Sequence, residues 1–303
     1  MFDAARFYVA GHRGLVGSAC WRALSATGAE LIGWTSSELD LRDRDATFDA
    51  VLTSRPDVMV IAAALVGGIV ANASDPVAFL NDNLRIQTNL FEAAHEAGVE
   101  RVLFLGSSCI YPKLSPQPIP ESALLTGPLE PTNQAYAIGK IAGVEAISAY
   151  RHQYGHRWIS AMPTNLYGPG DNFDLVTSHV LPAMIRKFHD ARDEVVLWGS
   201  GTPRREFLHA DDAAAAILHL LEHYDADSHV NVGTGEDLSI AELALLVADV
   251  VGFDGQITWD KSKPDGTPRK LLDVTLLKSL GWEPVIGLRE GIAATYAWYL
   301  DHG

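Results

Sequence analysis

Apolar runs alternate with amphipathic, helix-length stretches through the first half of this chain. The runs are almost continuously apolar, which is typical of strands that helices cover on both faces. Strands separated by helices predict a parallel, doubly wound α/β sheet with right-handed crossovers, that is, a Rossmann-like fold. The predicted strands are Phe7 to Gly11, Glu30 to Trp34, Val58 to Ala64, Arg101 to Ser107 and Trp158 to Pro163, and the predicted helices cover residues 14–27, 45–54, 81–97 and 135–154.

The alternation weakens in the second half, where proline, glycine and aromatic residues become frequent. We therefore expect a Rossmann domain over residues 1–164 and a smaller, mainly substrate-binding C-terminal domain over residues 165–303. Segments near 205–233 are expected to return to the first domain. Ser239 and Glu242 have the spacing of a capping box, so a helix should begin directly after Ser239.

Composition excludes several classes of protein. With 303 residues, of which 48% are hydrophobic, the chain can bury a large core. Its formal net charge of -15 would repel nucleic acid and anionic membranes, so neither partner is expected. No apolar run is long enough to span a bilayer, and the first residues lack the pattern of a signal peptide. Two cysteines are too few for a disulfide framework, which predicts a cytoplasmic protein, and no metal site is predicted.

Three glycines, Gly11, Gly14 and Gly17, follow the first predicted strand at the opening of a helix. Glycines allow the backbone to turn tightly and to approach a pyrophosphate, and the free N–H groups at a helix start attract its phosphates. A simple strand-to-helix turn is the alternative. The position of the motif in an alternating chain favours a dinucleotide site.

The residues after the second predicted strand bear on which dinucleotide binds. An NAD-specific site places an acid there against the ribose 2′-hydroxyl. This chain has hydroxyl residues instead, among them Ser36 and Ser37, and Arg13 lies in the glycine turn. A cation and hydroxyls suit a 2′-phosphate, so NADP(H) is the predicted cofactor unless Arg13 is only a solvated turn residue. Asp40 and Leu41 are candidates for the adenine edge.

Tyr136 and Lys140 are one helical turn apart and lie on the same face of a predicted helix. A lysine beside a phenol favours the phenolate, so Lys140 is expected to lower the pKa of Tyr136 and make it a usable proton donor. Ser107 ends the fourth predicted strand, and ligands of open α/β sheets bind beyond such strand ends. The glycine turn, Ser107 and Y-x-x-x-K, in that order, resemble the short-chain dehydrogenase/reductase superfamily.

Longer stretches resemble one family of that superfamily, the GDP-L-fucose synthases, also called GDP-4-keto-6-deoxymannose epimerase/reductases. The resemblance covers nearly the whole chain. It departs from the family pattern at Leu65, where a lysine is usual, and at Ser36 or Ser37, where an arginine is expected, so NADH should work measurably but less well than NADPH. The stretches are GHRGLVGSA, AALVGGIVAN, FLGSSCIYPK, EPTNQAYAIGKIAG, MPTNLYGPGDNF, SHVLPA, WGSGTPRREFLHADD, NVGTG and KPDGTPRKLLDV.

The resemblance implies conversion of GDP-4-keto-6-deoxy-D-mannose to GDP-L-fucose by 3,5-epimerisation and NADPH-dependent 4-reduction. Ser107, Tyr136 and Lys140 would be the reductase triad, and Cys109 and His179 the acid/base pair of the epimerisation. The implied cofactor-binding residues are Gly11, His12, Arg13, Gly14, Leu15, Gly17, Ser36, Asp40, Leu41, Ala63, Lys140, Pro163, Asn165, Leu166 and His179. The implied GDP-sugar residues are Asn165, Lys187, Trp198, Arg205, Asp265 and Lys270.

The resemblance also implies a homodimer, because family members pack the helix of Tyr136 and the helix near residues 81–97 across a subunit interface. The sequence of the first of these helices agrees, since it is apolar on several faces and rich in small residues. Such a helix needs more cover than one sheet supplies.

Several alternatives stay open from the residues alone. Cys109 could be a small buried hydrophobe, and His179 could be a helix cap. Trp198 is more often a core residue than a base-stacking one, and Asn83 and Asn89 could be ordinary surface or interface groups. Another nucleotide-sugar enzyme of the same fold, such as a 4-epimerase, a 4,6-dehydratase or a colitose-type synthase, competes with the activity above. A catalytically silent cofactor-sensing protein is the remote alternative.

Overall fold

The computed structural model describes residues 2–175, 177–263 and 265–302. Strands and helices alternate through its first half. The strands are β1 (Arg6–Ala10), β2 (Glu30–Ile32), β3 (Val58–Ile61), β4 (Arg101–Leu105), β5 (Ile159–Pro163), β6 (Asn165–Tyr167), β7 (Glu194–Trp198), β8 (Arg204–Arg205), β9 (Phe207–His209), β10 (Val230–Val232), β11 (Leu238–Ser239), β12 (Gln256–Asp260) and β13 (Arg269–Lys270). The helices are α1 (Leu15–Ser25), α2 (Arg44–Ser54), α3 (Ile69–Ser74), α4 (Pro76–Glu96), α5 (Gln134–Tyr154), α6 (Val180–Asp190), α7 (Ala210–His223), α8 (Ile240–Val251), α9 (Thr275–Ser279) and α10 (Leu288–His302).

Six parallel strands build the central sheet, in the order β10-β5-β4-β3-β1-β2. Helices α1 and α7 cover one face of this sheet, and α2, α4 and α5 cover the other. The order reverses between β1 and β3, which is the switch point where open α/β sheets bind ligands. The predicted doubly wound α/β fold is confirmed.

A second, smaller core lies in the C-terminal part of the chain. It gathers apolar residues of α6, α8 and α10 around the parallel pair β7 and β12. Beside it, β8 pairs antiparallel with β11 and parallel with β13. These short strands carry most of the basic residues predicted to hold a GDP-sugar.

Local signals in the sequence account for several helix ends. Asp43 caps α2 by accepting a hydrogen bond from the Ala46 backbone N–H at 3.1 Å. The predicted capping box is confirmed, since the Ser239 hydroxyl accepts from the Glu242 N–H at 3.1 Å and the Glu242 carboxylate accepts from the Ser239 N–H at 2.7 Å. Helix α8 ends at Gly252, whose φ of +83° is in the left-handed region that glycine favours.

The chain returns to the first sheet after its first pass through the smaller core. Helix α7 packs on α1, and β10 pairs with β5 and forms the edge of the sheet, with Val230 beside Ala161. Both elements fall within the expected 205–233 stretch, whereas the domain boundary at residue 164 remains a prediction. In the described ranges, no helix combines the length and the apolar character needed to cross a bilayer.

Candidate active site

The turn between β1 and α1 brings backbones into close contact. Gly11 has a φ of +85°, and a Cβ there would lie 2.8 Å from the backbone nitrogen of Ala63. A Cβ on Gly17 would overlap the carbonyl oxygen of Gly11. Gly14 precedes α1 without a side-chain cap, so the first N–H groups of the helix can meet an anion. The turn therefore fits the pyrophosphate of a dinucleotide.

Arg13 is exposed, and no ion pair or hydrogen bond engages its side chain within the described ranges. The charge of Arg13 acts on Glu38, an acid that follows the two serines directly and that the sequence prediction did not include. Glu38 accepts hydrogen bonds from the backbone N–H and the hydroxyl of Thr35, both at 2.8 Å. These bonds and the charge of Arg13 hold the pKa of Glu38 below its usual value. Glu38 is thus tied to its own turn, and Arg13 can bind a phosphate.

Asn83 and Asn89 are buried, so the surface interpretation of these residues is wrong. The Asn83 amide accepts from the N–H of Leu65 at 2.8 Å and donates to its carbonyl at 3.0 Å. The Asn89 amide donates to the carbonyl of Leu41 at 2.9 Å. Helix α4 therefore holds two loops at the C-terminal edge of the sheet, where the cofactor residues are predicted.

The remaining predicted cofactor residues lie along the same edge. The His12 ring packs against Trp21, with ring centres 4.9 Å apart, and burial lowers the pKa of this histidine. Asp40 accepts hydrogen bonds from Arg42 that lower its pKa to about 2, so its carboxylate is already engaged. Leu15, Pro163 and Leu166 lie at the start of α1, at the end of β5 and within β6.

Ser107, Tyr136 and Lys140 meet beyond the C-terminal end of β4. Tyr136 and Lys140 are buried on α5, and the Lys140 ammonium donates to the carbonyl of Leu105 at 2.7 Å. The Ser107 hydroxyl lies near enough to the Tyr136 phenol to act on its pKa. The structure thus brings together the three residues predicted to reduce a carbonyl group.

The electrostatics of Tyr136 differ from the expectation. Burial raises the pKa of Tyr136, the charge of Cys109 raises it further, and the hydrogen bond with Ser107 opposes both. Burial also lowers the pKa of Lys140 to about 7, because a buried ammonium loses its hydration. Its nitrogen lies 6.0 Å from the centre of the Tyr136 ring. The expected lowering of the Tyr136 pKa is therefore wrong in its net direction, because burial outweighs the opposing effects in the free protein.

Cys109 lies in a short 3-10 turn, Ser108–Ile110, and is partly exposed. Its Sγ is 3.2 Å from the Asn133 amide nitrogen and 3.5 Å from the Lys270 ammonium. Burial raises the pKa of this thiol, but the charge of Lys270 and hydrogen bonds from its polar neighbours together bring the pKa below its usual value. Cys20 shows the contrast, since it is fully buried and its pKa is raised to about 12. The inert-hydrophobe alternative therefore describes Cys20 and not Cys109.

Asn133 is a site residue that the sequence argument missed. It donates to the Cys109 sulfur, and its own amide oxygen is buried with no partner among the described residues. It stands three residues before Tyr136, directly ahead of α5. That position next to the Y-x-x-x-K motif is the signal that could have found it.

His179 immediately precedes α6, but its side chain forms no cap hydrogen bond, so the helix-cap alternative is not supported. Its segment is held against the loop after β3, where the Gly68 N–H donates to the Thr177 carbonyl at 3.1 Å. Burial lowers the pKa of His179 although part of the side chain is exposed. Within the described ranges, no hydrogen bond or ring contact joins His179 to Cys109 or Tyr136 directly.

Predicted GDP-sugar residues surround an exposed tryptophan. Lys187 and Lys263 place their ammonium groups 5.8 Å and 5.4 Å from the centre of the Trp198 ring. Trp198 is 50% exposed, so the core alternative is wrong for this residue. Asp265 accepts hydrogen bonds from the Ser200 N–H and hydroxyl at 2.7 Å and 2.8 Å, and so shapes the neighbouring turn. An exposed ring of this kind offers a flat apolar face to a nucleobase.

Arg205 is half-buried, and burial lowers the pKa of its guanidinium. No ion pair involves Arg205 within the described ranges, which leaves it able to bind a phosphate. The next residue, Glu206, is completely buried and accepts hydrogen bonds from the N–H groups of Gly235 and Leu272 at 2.7 Å and 3.0 Å. The Asn165 amide donates to the Glu206 carbonyl at 2.8 Å. Glu206 thus connects β6 with the segments that follow β10 and β13.

Comparison with known proteins identifies the family to which the chain belongs. Residues 7–233, which include the glycine turn, Ser107, Tyr136 and Lys140, match the model of the NAD dependent epimerase/dehydratase family. The chain belongs to this family. Among the described residues of this family member, no group of three or more His, Cys, Asp or Glu side chains is placed to hold a metal ion.

Within the NAD dependent epimerase/dehydratase family, the relatives are nucleotide-sugar enzymes. The chain is 55% identical to GDP-L-fucose synthase 1 of Arabidopsis thaliana, over 99% of this chain and 94% of the relative. It is 52% identical to GDP-L-fucose synthase of Escherichia coli, over 98% of this chain and 97% of the relative. A GDP-D-glycero-L-gluco-heptose synthase from Campylobacter jejuni, crystallised in the presence of NADPH, is similar in structure, with a TM-score of 0.94, 32% identity and 99% of each chain covered.

Proposed function

We propose that this chain is a cytoplasmic, homodimeric GDP-L-fucose synthase that uses NADPH. It would convert GDP-4-keto-6-deoxy-D-mannose to GDP-L-fucose by epimerisation at C3 and C5 and reduction at C4. Identity above 50% over nearly the full length of two GDP-L-fucose synthases supports the substrate. The presence of only two cysteines, which are not paired, supports a reducing compartment.

One observation carries the proposal. A polarised thiol, Cys109, lies two residues from Ser107 and beside the buried Tyr136, at the end of a strand next to a dinucleotide turn. A simple reductase needs only the hydroxyl groups and the cofactor. A thiol with a lowered pKa at the same carbonyl adds a group that can exchange protons on carbon.

Epimerisation follows from the chemistry of the 4-keto group. The ketone acidifies the protons on C3 and C5, because the electron pair left by each proton moves onto the ketone oxygen as an enolate. Ser107 and Tyr136 would donate hydrogen bonds to that oxygen. Cys109 and His179 would remove a proton from one face of the carbon and return one from the other, which inverts each centre without net loss of protons.

Reduction uses the other half of the same site. NADPH, when bound, supplies the hydride for C4. Tyr136 would give the C4 oxygen its proton, and the buried Lys140 would stabilise the phenolate that remains. Arg205, Lys187 and Trp198 would hold the GDP group, since the first two are cations and the third presents an exposed ring.

Product analysis tests the proposal directly. We expect the purified protein to consume NADPH, seen as a loss of absorbance, only when GDP-4-keto-6-deoxymannose is supplied, and to form GDP-L-fucose. UDP-linked keto-sugars serve as the control. Formation of a C4-reduced sugar with unchanged C3 and C5 would identify a plain reductase instead.

Arg13→Ala should weaken NADPH binding about tenfold or more and change NADH binding little, because a charge-assisted bond to phosphate contributes roughly 1.5–3 kcal/mol. Titration of both cofactors by fluorescence measures the two dissociation constants. Ser36→Arg is the matched gain-of-charge variant and should raise the preference for NADPH. Equal losses for both cofactors in Arg13→Ala would show that Arg13 does not bind the 2′-phosphate.

Helices α4 and α5 present the surface proposed for the dimer. Val77 on α4 is 67% exposed and Ile138 on α5 is 42% exposed in the single chain. We expect light scattering at micromolar concentration to give the mass of two chains, and Ile138→Glu to give one, because a charge would be buried in the interface. Leu245→Glu, on the 65% exposed Leu245 of α8, is the control. A monomeric wild-type protein would contradict the proposal.

A further inference from the structure

Lys270, one of the predicted GDP-sugar residues, directs its side chain at a sulfur atom. Its ammonium is 3.5 Å from the Sγ of Cys109, although the two residues are 161 positions apart in the chain. No carboxylate pairs with Lys270 among the described residues, whereas the neighbouring Arg269 is bonded to Asp237. A lysine without an acidic partner beside a thiol favours the thiolate.

We propose that Lys270 is a positioning residue that keeps Cys109 in its thiolate form, ready to take a proton from a substrate carbon. The inference rests on the proposed function for its substrate, but the contact itself belongs to the free protein. Asn133 assists by donating its amide N–H to the same sulfur at 3.2 Å. The thiolate thus receives two N–H donors from different elements, one charged and one neutral.

The backbone around Lys270 is held from both sides. Strand β13 pairs with β8, which places Lys270 beside Arg205. The next two residues are anchored by side chains, since the Leu271 N–H donates to Gln117 at 2.9 Å and the Leu272 N–H to the buried Glu206 at 3.0 Å. Lys270 therefore approaches the sulfur from a fixed strand and not from a loose loop.

The other charged groups near the sulfur do not replace Lys270. Arg205 adds a second positive charge near Cys109 from β8. Lys113 lines the same small cavity but is neutralised by Glu130, with 2.9 Å between their charged atoms. Tyr136 faces Cys109 from α5 and is uncharged because burial raises its pKa. Lys270 is thus the ammonium in direct contact with the thiol among the described residues.

The proton balance assigns the thiolate a definite step. The Cys109 thiolate takes a proton from C3 or C5, the electron pair of that C–H bond moves onto the ketone oxygen, and Cys109 becomes a thiol. His179 gives the new enolate a proton from the opposite face and regains one from solvent, and the Cys109 thiol loses its proton to solvent. Lys270 forms and breaks no bond in this sequence. Its charge favours the thiolate at the start and again at the end.

Alkylation of Cys109 by iodoacetamide, followed against pH by mass spectrometry without any sugar, tests the contact. The reagent is uncharged, and Cys20 is fully buried, so the rate reports the Cys109 thiolate. We expect Lys270→Met to move the midpoint of the pH profile up by about one unit, because an ammonium at this distance favours the thiolate about tenfold. Lys270→Arg should restore the midpoint. Lys278→Met, which removes the same charge on α9, should leave it unchanged.

The outcomes separate this inference from the proposed function. The inference is overturned if a folded Lys270→Met protein keeps the wild-type midpoint. It is also overturned if Lys270→Arg shifts the midpoint as much as Lys270→Met does, or if Lys278→Met shifts it by the same amount. Ultraviolet absorbance of the thiolate, with Cys109→Ala as the blank, repeats the measurement if alkylation is slow. With substrate, the acid limb in the pH profile of solvent deuterium exchange should move to higher pH in Lys270→Met, by as much as the thiol midpoint does. If Lys270→Met changes only KM, the inference is overturned. A shifted midpoint in a protein that forms no GDP-L-fucose would reject the proposed function and leave the contact standing.

Discussion

We expect Tyr136→Phe to lower NADPH oxidation at least a hundredfold, while solvent deuterium still enters the sugar at C3 or C5. A positioned proton donor contributes a factor of roughly 10² to 10⁴, and phenylalanine fits the same buried space without the hydroxyl. Exchange should continue at a reduced rate, because Ser107 still donates to the enolate oxygen while one donor is lost.

Absorbance of NADPH and mass spectrometry of the recovered sugar measure the two activities on one sample. Ser107→Ala is the matched control, since it removes the other donor and should lower both activities together. Loss of exchange to the same extent as loss of reduction in Tyr136→Phe would mean that the tyrosine serves the carbon protons as well.

Cys109→Ser should have the opposite pattern. A hydroxyl replaces the thiol at almost the same size, but an alcohol is far too weak an acid to be present as the base near neutral pH. We expect exchange and GDP-L-fucose formation to fall by a factor of about 10² to 10⁴, while the remaining NADPH oxidation gives unepimerised or partly epimerised sugar.

Sugar analysis by NMR identifies those products. Cys20→Ser controls for thiol loss in general, although its buried site makes the change destabilising and requires a check of folding. Wild-type exchange in both Cys109→Ser and His179→Ala would return these residues to a structural role.

Short-range patterns account for what could be predicted. Gly11, Gly14 and Gly17 lie within seven consecutive residues, and Tyr136 and Lys140 are four residues apart, so their placement follows from local geometry alone. The place of Ser107 follows from the strand just before it, β4, because parallel strands present their C-terminal ends at one edge. The Rossmann sheet and the cofactor turn therefore follow from spacing.

Contacts between distant parts of the chain explain what was missed. Asn83 holds Leu65 across 18 positions and Lys270 meets Cys109 across 161, and no local pattern encodes such pairs. The direction of the Tyr136 pKa shift was wrong for a related reason. Spacing shows that Lys140 lies near Tyr136, but burial dominates the pKa shifts of both side chains. Burial is a property of the folded core, and spacing does not encode it.

The pairing of β10 with β5 has a consequence for folding during synthesis of the protein. During synthesis at roughly 5–20 residues per second, the edge of β5 is complete several seconds before residues 230–232 exist to cover it. Over that interval the nascent sheet has an open edge of unpaired N–H and C=O groups, which favours pairing with another nascent chain. Expression yield should therefore depend on how fast residues 164 to 232 are translated and on the supply of chaperones during that time. A gene truncated between residues 164 and 232 should yield aggregated protein.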